Sequence, residues 1–258
     1  MQLPLLAILP LAAANALLPQ HIFSNPHSKS LTSRIPTSYE SAVLARRILH
    51  LTPLGTLATV FPAAHKDAAE TAEQRPQDLG GVPIGLMDYF ADCEPTGNPT
   101  ILAISIATSF KNVAAGSNIS LSLSWTPPHT PSRLSLPKGP RPLSYSAASL
   151  PRFSLLGYLE PISPSSVTSL KLAKCFTDTH PDAKYWLPGN PIHTSEWVRL
   201  VVEQVYWIGG FGDRNYIGWI PVEEWRAVNR SEWEEVRLPG EREKSRAEGW
   251  WGWFSGDM

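Results

Sequence analysis

The clearest pattern of apolar and polar positions lies in residues 119–125, where Ile, Leu and Trp alternate with serines. A period of two places neighbouring side chains on opposite faces of a strand, so this stretch predicts a half-buried β-strand. Six other apolar stretches predict further strands, and the stretch beginning at Trp197 is the longest of them: residues 55–61, 82–90, 100–106, 153–162, 197–208 and 216–220.

Helical patterns are fewer and shorter. Thr37 and Glu40 have the spacing of a capping box, and Leu44, Ile48 and Leu51 follow on one helical face. This predicts a helix from residue 37 to Thr52, since the residue before a proline avoids helical geometry. Shorter helices are predicted over residues 109–115, 165–177 and 221–225, and the second of these carries Val167, Leu170 and Lys174 along one side.

The predicted order is α-β-β-β-α-β-β-α-β-β, in which strands dominate. This order argues against parallel βαβ winding and favours a closed or partly closed antiparallel barrel with helices packed outside, a mainly β (α+β) fold. Residues 126–151 contain seven prolines and predict an irregular insertion into that barrel.

The beginning of the chain predicts a signal peptide over residues 1–16. Residues 3–14 are apolar but too few to span a membrane, and Ala14-Asn15-Ala16 forms an A-x-A cleavage pattern. A buried N-terminal helix is the alternative, although Pro4 and Pro10 disfavour it. Residues 17–36 are polar and predict a flexible mature N-terminus.

Composition narrows the class of protein. The formal net charge is −1, and charged residues make up 17% of the 258, so no electrostatic footprint for nucleic acid or an anionic membrane is present. Beyond residue 16 no window holds 18 apolar residues, which predicts no transmembrane segment and a luminal or extracellular product. In such an oxidising compartment Cys93 and Cys175 could form a disulfide; two separate buried thiols are the alternative.

Motifs of common enzymes are missing from the sequence. It contains no G-x-G-x-x-G, GK[ST], H-E-x-x-H, C-x-x-C or G-x-S-x-G pattern. Residues 209–212 are glycine-rich but join two predicted strands, which favours a hairpin turn over a phosphate loop. The seven histidines show no i, i+4 pair, so no metal centre is predicted.

Two N-glycosylation sequons follow the Asn-x-Ser pattern, at Asn118 and Asn229. Asn229 is predicted in a loop after the last short helix, and Asn118 at the start of a strand, where it would be partly shielded. Either asparagine could instead remain unmodified.

Residues 229–258 form a predicted tail, charged from Leu238 onward. The tail ends in a cluster of aromatic residues: Trp250, Trp251, Trp253 and Phe254. Such a cluster could anchor an interface or contact a partner. Alternatively the tail docks back on the barrel or stays loose.

Several short stretches, taken in order, resemble the CREG (cellular-repressor) family, which belongs to the pyridoxamine-phosphate-oxidase-like, FMN-binding split barrels. They run from Ala45-Arg46-Arg47 to Pro221-Val222-Glu223-Glu224-Trp225 and include Gly81-Val82-Pro83, Lys111-Asn112-Val113, His180-Pro181-Asp182-Ala183 and residues 205–212. Together they cover residues 37–228, and the insertion at 126–151 departs from the family. The resemblance implies a six-stranded split barrel that pairs as a homodimer. CREG proteins are secreted or endolysosomal glycoproteins whose counterpart of the FMN cleft is obstructed.

The resemblance also identifies which residues would hold FMN if it binds: Thr108, Ser109, Lys111 and Asn112. Relatives that bind the phosphate often carry Ser-Arg-Lys here, whereas this chain has Phe110 in place of the arginine. One lysine offers no planar fork, so the four residues could equally be helix caps and solvated side chains. Arg133, Arg152 or Arg199 could supply the missing guanidinium.

By analogy with haem-degrading split barrels, His180 is a candidate haem ligand; capping a turn is the alternative.

The aromatic content of the last strands favours a dimer interface (Trp197, Tyr206, Trp207, Phe211, Tyr216 and Trp219). Together with the predicted signal peptide, the sequons and the missing arginine, the resemblance favours a non-catalytic homodimeric glycoprotein without cofactor, which acts by binding an unknown protein partner. An FMN-dependent oxidoreductase and a haem-binding protein are the alternatives.

Overall fold

The computed structural model describes residues 34–63, 76, 78–128, 146–163 and 166–241. These residues contain seven strands: β1 (Leu54–Val60), β2 (Pro83–Ala91), β3 (Thr100–Ile104), β4 (Ile119–Ser124), β5 (Arg152–Pro161), β6 (Ser195–Ile208) and β7 (Ile217–Ile220). The same residues contain five α-helices: α1 (Ser38–Leu51), α2 (Thr108–Ala114), α3 (Ser166–Thr179), α4 (Val222–Ala227) and α5 (Arg230–Glu235). The predicted signal peptide, the aromatic end of the tail and most of the proline-rich insertion lie outside the described residues.

Six strands close into an antiparallel barrel in the order β3-β2-β1-β4-β5-β6. Closure comes from β6, which also pairs with β3 from Thr100↔Arg199 to Ile104↔Ser195. Among the described strands, β7 pairs with β6 alone and lies outside the closed barrel. The predicted six-stranded antiparallel barrel with short flanking helices is confirmed.

The barrel core follows from the alternation in the sequence. Ile119, Leu121 and Leu123 of β4 point inward and are buried, while the serines between them lie on the outer face. Leu155 and Val205 continue the buried layer across β5 and β6. Burying each such side chain contributes about 1.5–3 kcal/mol, so the core is the main source of stability.

β5 and β6 lose their regular register between Leu156 and Gly157, which marks a β-bulge. A Cβ atom at Gly157 would lie 1.8 Å from the carbonyl oxygen of Val201. Only glycine allows the two backbones to approach this closely.

α1 begins as its sequence predicts. The Oγ1 atom of Thr37 accepts a hydrogen bond from the Glu40 amide, and the Glu40 carboxylate accepts one from the Thr37 amide at 2.8 Å. The helix ends at Leu51, just before Thr52 and Pro53, and packs against α4 and α5.

α3 forms a second, smaller core with β2 and its neighbours. Leu172 and Phe176 are buried there against Trp197. A disulfide between Cys93 and Cys175 joins α3 to the segment that follows β2, with an S–S distance of 2.07 Å. Leu170 and Lys174, which the sequence places along one side of this helix, face solvent. The buried face is the one that carries Leu172 and Phe176.

None of the helices in the described part of the chain has both the length and the apolar character that a membrane span requires.

Helix α5 was not predicted from the sequence, which indicated a loop at Asn229. Asn229 is the N-cap of α5, and its amide donates to the Glu232 carboxylate at 2.7 Å. The Asn-x-x-Glu spacing of a capping box was the signal that could have predicted this helix.

Candidate functional site

Thr108, Ser109, Lys111 and Asn112, hereafter the α2 set, lie on α2 directly after β3. Ser109 and Asn112 face the barrel and are 2% and 4% exposed, whereas Lys111 faces solvent. Thr108 lies half-buried at the first position of the helix. Neighbours in sequence therefore point in different directions, because successive helical residues are about 100° apart.

The buried members of the α2 set have a structural role. The Nδ2 atom of Asn112 donates to the Oγ1 atom of Thr59 at 3.0 Å, and both side chains are buried. This hydrogen bond ties α2 to β1. Phe110, at the position of the expected arginine, packs into the barrel core.

The α2 set does not form a phosphate site. An FMN phosphate requires several donors, at least one of them cationic, directed at one point. Here the only cation of the set, Lys111, is exposed on the opposite side from Ser109 and Asn112. The residues present at this place do not fit the phosphate of FMN.

Arg199 does not supply the missing guanidinium, because two carboxylates already hold it. Its Nε donates to Glu94 at 3.0 Å and its Nη1 to Glu160 at 2.9 Å. Burial by itself would lower the pKa of Arg199, but these two hydrogen bonds and their charges raise it. Arg133 lies outside the described residues.

Arg152 belongs to a different polar site, on the outer face of the barrel. It lines a cavity of about 350 Å³ together with Ser122, Ser154 and Tyr206. The hydroxyl oxygens of Ser122 and Ser154 are 2.7 Å apart. Arg152 pairs with Ser124, at the end of β4 that is farther from α2. Ser124 lies five residues from Ile119, where β4 begins, which is roughly 16 Å along the strand.

His180 is engaged in the interior of the protein. Its Nε2 atom lies 2.8 Å from the carbonyl oxygen of Phe90, and its ring stacks on Tyr89 with 4.3 Å between centroids. The Tyr89 hydroxyl in turn donates to Asp182 at 2.8 Å. The imidazole is buried and its Nε2 is occupied, so this arrangement does not present the nitrogen to haem iron. Only the backbone of His180 caps the following 3₁₀ turn, Pro181–Tyr185.

Both sequon asparagines lie at the surface. Asn118 is exposed immediately before β4, where partial shielding had been expected, and Asn229 is exposed at the beginning of α5. Oligosaccharide transfer requires an accessible asparagine, and the geometry at both positions satisfies that requirement.

A third polar region, which the sequence did not predict, is a cavity of about 420 Å³ between α1, the segment after β2 and α5, hereafter the α1–α5 cavity. Its wall includes Arg46, His50, Asp92, Arg226 and Trp233. The signal in the sequence was an arginine on the apolar side of α1, since Arg46 follows Ala42 and Ala45, both fully buried.

Arg46 is 2% exposed and holds three elements together. Its guanidinium donates to the carbonyl oxygens of Trp225 at 3.3 Å and Pro95 at 2.9 Å. It also lies over the Trp225 ring, 5.3 Å from the centroid. Gly97 leaves room for it, because a Cβ atom there would come within 2.7 Å of the guanidinium.

Within the described residues, no group of three or more His, Cys, Asp and Glu side chains is arranged to hold a metal ion.

Three solved structures illustrate what the fold is similar to. A haem-binding protein from Mycobacterium smegmatis is 23% identical with a TM-score of 0.49, over 76% of this chain and 62% of that one. A protein of unknown function from Agrobacterium tumefaciens is 22% identical with a TM-score of 0.45, over 79% and 64%. A candidate pyridoxamine 5′-phosphate oxidase from Lactobacillus delbrueckii is 16% identical with a TM-score of 0.34, over 63% and 90%. The chain thus spans less than two thirds of the length of the first two proteins.

No curated protein matches the chain at a significant level. A protein-family model does match: the CREG β-barrel model aligns with residues 36–227, about three quarters of the chain. That span contains the whole closed barrel, with β7 and α1 to α4. The chain belongs to the CREG β-barrel family.

Proposed function

We propose that this protein is a non-catalytic, CREG-like glycoprotein of the secretory or endolysosomal lumen, which acts through protein binding as a homodimer and does not bind FMN tightly. The observation that carries the proposal is the divergence of the α2 set. Ser109 and Asn112 are buried in the barrel wall, and Lys111 faces solvent. Removing a phosphate from water requires charge-assisted donors in return, and these residues do not supply them.

The test is a titration of the purified protein with FMN, followed by flavin fluorescence. We expect no saturable binding at micromolar concentrations. A dissociation constant tighter than about 1 μM, equivalent to about 8 kcal/mol of binding free energy, would overturn the proposal. Lys111→Ala serves as the matched variant, and its titration should be indistinguishable from that of the unmodified chain.

A homodimer is supported by apolar side chains that the barrel leaves uncovered near β7. Trp219 is 55% exposed although it contacts the Tyr206 ring, and Ile217 and Phe211 are also exposed. Exposed aromatic residues of this kind are enriched at interfaces. Light scattering should give the mass of two chains, and Trp219→Glu should shift it toward one chain. Ile192→Glu, at an exposed apolar position in the turn before β6, is the control and should leave the mass unchanged.

A luminal compartment is supported by the A-x-A pattern at Ala14-Asn15-Ala16, by the Cys93–Cys175 disulfide and by two exposed sequon asparagines. N-terminal sequencing of secreted protein should begin at Leu17. Removal of N-linked glycans should increase gel mobility, and Asn229→Gln and Asn118→Gln should each reproduce part of that shift. A mature product that begins at Met1 with unchanged mobility would contradict the assignment.

A second candidate function, an FMN-dependent oxidoreductase, is favoured by one observation. The cavity on the outer barrel face combines the guanidinium of Arg152 with the hydroxyls of Ser122, Ser154 and Tyr206, which are donors suited to a phosphate. If FMN does bind, Arg152→Met should weaken it by about tenfold or more, whereas Lys111→Ala should not.

A further inference from the structure

The α1–α5 cavity contains more cationic groups than its own carboxylates balance. Of its arginines, Arg230 pairs with Glu234 at 2.7 Å on α5. Glu94, in the cavity wall, is held by Arg199 at 2.7 Å. Among the described residues of the cavity wall, these two pairs leave Arg46 and Arg226 facing a single remaining carboxylate, Asp92, with the His50 imidazole beside it.

Neither Arg46 nor Arg226 has a carboxylate partner among the described residues. Arg46 donates to two backbone carbonyls, and Arg226 donates to the carbonyl oxygen of Val202 at 2.9 Å. Backbone carbonyls satisfy hydrogen bonds but do not neutralise a full charge. Burial lowers the pKa of Arg46, and the nearby Asp92 charge offsets this in part.

The buried polar groups behind the cavity are incompletely satisfied. The Nε atom of Arg46 and the Oδ1 atom of Asp92 have no hydrogen-bond partner within the part of the chain that the structure describes. The Asp92 side chain is 6% exposed, and its other oxygen lies 3.5 Å from the Nδ1 atom of His50. A buried charge without compensation is destabilising, so a ligand that balances the excess positive charge would stabilise the folded chain.

The mouth of the cavity offers donors that a ligand can reach. Arg226 and His50 are exposed residues in its wall. The His50 ring packs on Trp233 with 4.4 Å between centroids, which gives the mouth an apolar side. An anion placed here would contact Arg226 and His50 directly, and the buried Arg46 would add its charge from behind.

We propose that the α1–α5 cavity is a binding site for a small oxyanion, a carboxylate or phosphate group, held by Arg226 and His50. The site is separate from the α2 set and from the Arg152 cavity. The negative charge of Asp92 repels the bound anion. Removing that charge should therefore strengthen binding, whereas removing an arginine should weaken it.

The experiment is isothermal titration of the full, disulfide-bonded chain with inorganic phosphate and, separately, with acetate, with chloride at matched ionic strength as the reference. We expect a dissociation constant tighter than about 10 mM for at least one of the two. Binding of both anions indicates a general oxyanion site, and binding of one identifies its chemistry. The absence of saturable binding for both would overturn the proposal.

Charge variants then assign the binding to this cavity. Arg226→Met should weaken the anion by about tenfold, and Asp92→Asn should strengthen it. Arg214→Met is the matched control, since Arg214 is an exposed arginine of the β6–β7 turn that lies outside the cavity. If Asp92→Asn binds the anion no better than the unmodified chain, or Arg214→Met loses as much as Arg226→Met, the assignment is wrong.

Asn229 also lines the cavity, so a glycan there would stand at its rim. The titration is therefore repeated with Asn229→Gln, which should bind the anion at least as tightly. A loss of binding in this variant would contradict a site built from arginine and histidine donors.

Discussion

The α2 set and the α1–α5 cavity are both polar, but they were assembled in different ways. The α2 set is contiguous in sequence, and the helix turns its members apart, with Asn112 bonded to Thr59 in the interior and Lys111 in solvent. The α1–α5 cavity draws Arg46, Asp92 and Arg226 from three distant segments and brings them to one place. Proximity in the sequence therefore did not predict convergence in space.

The two regions also differ in how their buried polar groups are satisfied. Asn112 and Thr59 satisfy each other within the barrel wall, which is the ordinary condition of buried polar groups. In the cavity, Arg46 and Asp92 each retain one atom without a hydrogen-bond partner among the described residues. The first region thus has the properties of a structural contact, and the second has those of a site. The predictions below test this difference.

The largest expected effect comes from removing the disulfide, whose Cys93 lies in the wall of the α1–α5 cavity. The bond closes a loop with a sequence separation of 82 residues, so Cys93→Ser with Cys175→Ser should lower the free energy of unfolding by about 4 kcal/mol. Denaturant unfolding measures the loss. Hydrogen exchange should accelerate in α3 and after β2 but not in α2. Equal acceleration in α2 would show that the two regions are not independent.

Replacing Arg46 with methionine should lower the free energy of unfolding by about 3 kcal/mol, since the carbonyls of Trp225 and Pro95 lose a charged donor in the interior. Arg237 is the matched control, because it also donates to two backbone carbonyls but is exposed. Arg237→Met should cost less than about 0.5 kcal/mol. Similar losses in both variants would mean that burial of Arg46 is not the cause.

The Asn112→Ala variant should be destabilised by about 2 kcal/mol, because it leaves the buried Thr59 hydroxyl without its partner. Its neighbour in the α2 set, Lys111→Ala, should change stability by less than about 0.5 kcal/mol, since that side chain is exposed. Thermal and denaturant unfolding compare the two. A larger effect at Lys111 would reverse the structural interpretation of the set.

The smallest effect concerns Asp88 on β2, a carboxylate in neither region. Burial raises its pKa from the ordinary value of 3.8, and the hydrogen bond it accepts from the Tyr89 amide lowers it in part. The folded chain therefore holds this proton more tightly than the unfolded chain. The bound proton stabilises the folded chain at pH values below the ordinary pKa of 3.8. This stabilisation is lost as pH rises through the raised pKa of the folded chain.

Asp88→Asn removes this titration. The stability of the variant relative to the unmodified chain should increase as pH rises above 3.8 and through the raised pKa of Asp88, and then become constant. Denaturant midpoints measured across that interval check the prediction. A difference that does not change with pH would show that Asp88 titrates alike in both states.

Elements with strong local patterns were predictable because their signals are local. The capping box at Thr37 and Glu40, the serine alternation of β4 and the length of β6 all reappear in the structure. The buried face of α3 and the existence of α5 were not predicted. In α3 the choice of face depends on Trp197, a residue of a distant strand. In α5 the capping signal at Asn229 was present, but the helix is short and lacks a regular apolar pattern.

The candidate sites show the same division more sharply. The members of the α2 set could be identified from the sequence through the family resemblance. Whether their side chains point to one place depended on how α2 packs against β1. Two of the three arginines named as substitutes could be judged only from the structure, which places Arg199 between Glu94 and Glu160, and Arg152 at the far end of β4.

By itself the sequence determined the alternation of strands and short helices, the low net charge and the family to which the barrel belongs. The first two properties follow from side-chain periodicity and composition, which act within a few residues, and the third follows from the resemblance of short motifs taken in order. Only the tertiary structure decided that Cys93 meets Cys175, that β6 closes on β3 and that Arg46 is buried beside Asp92. These outcomes depend on which surfaces the barrel brings together, because burial and charge compensation are set by neighbours distant along the chain.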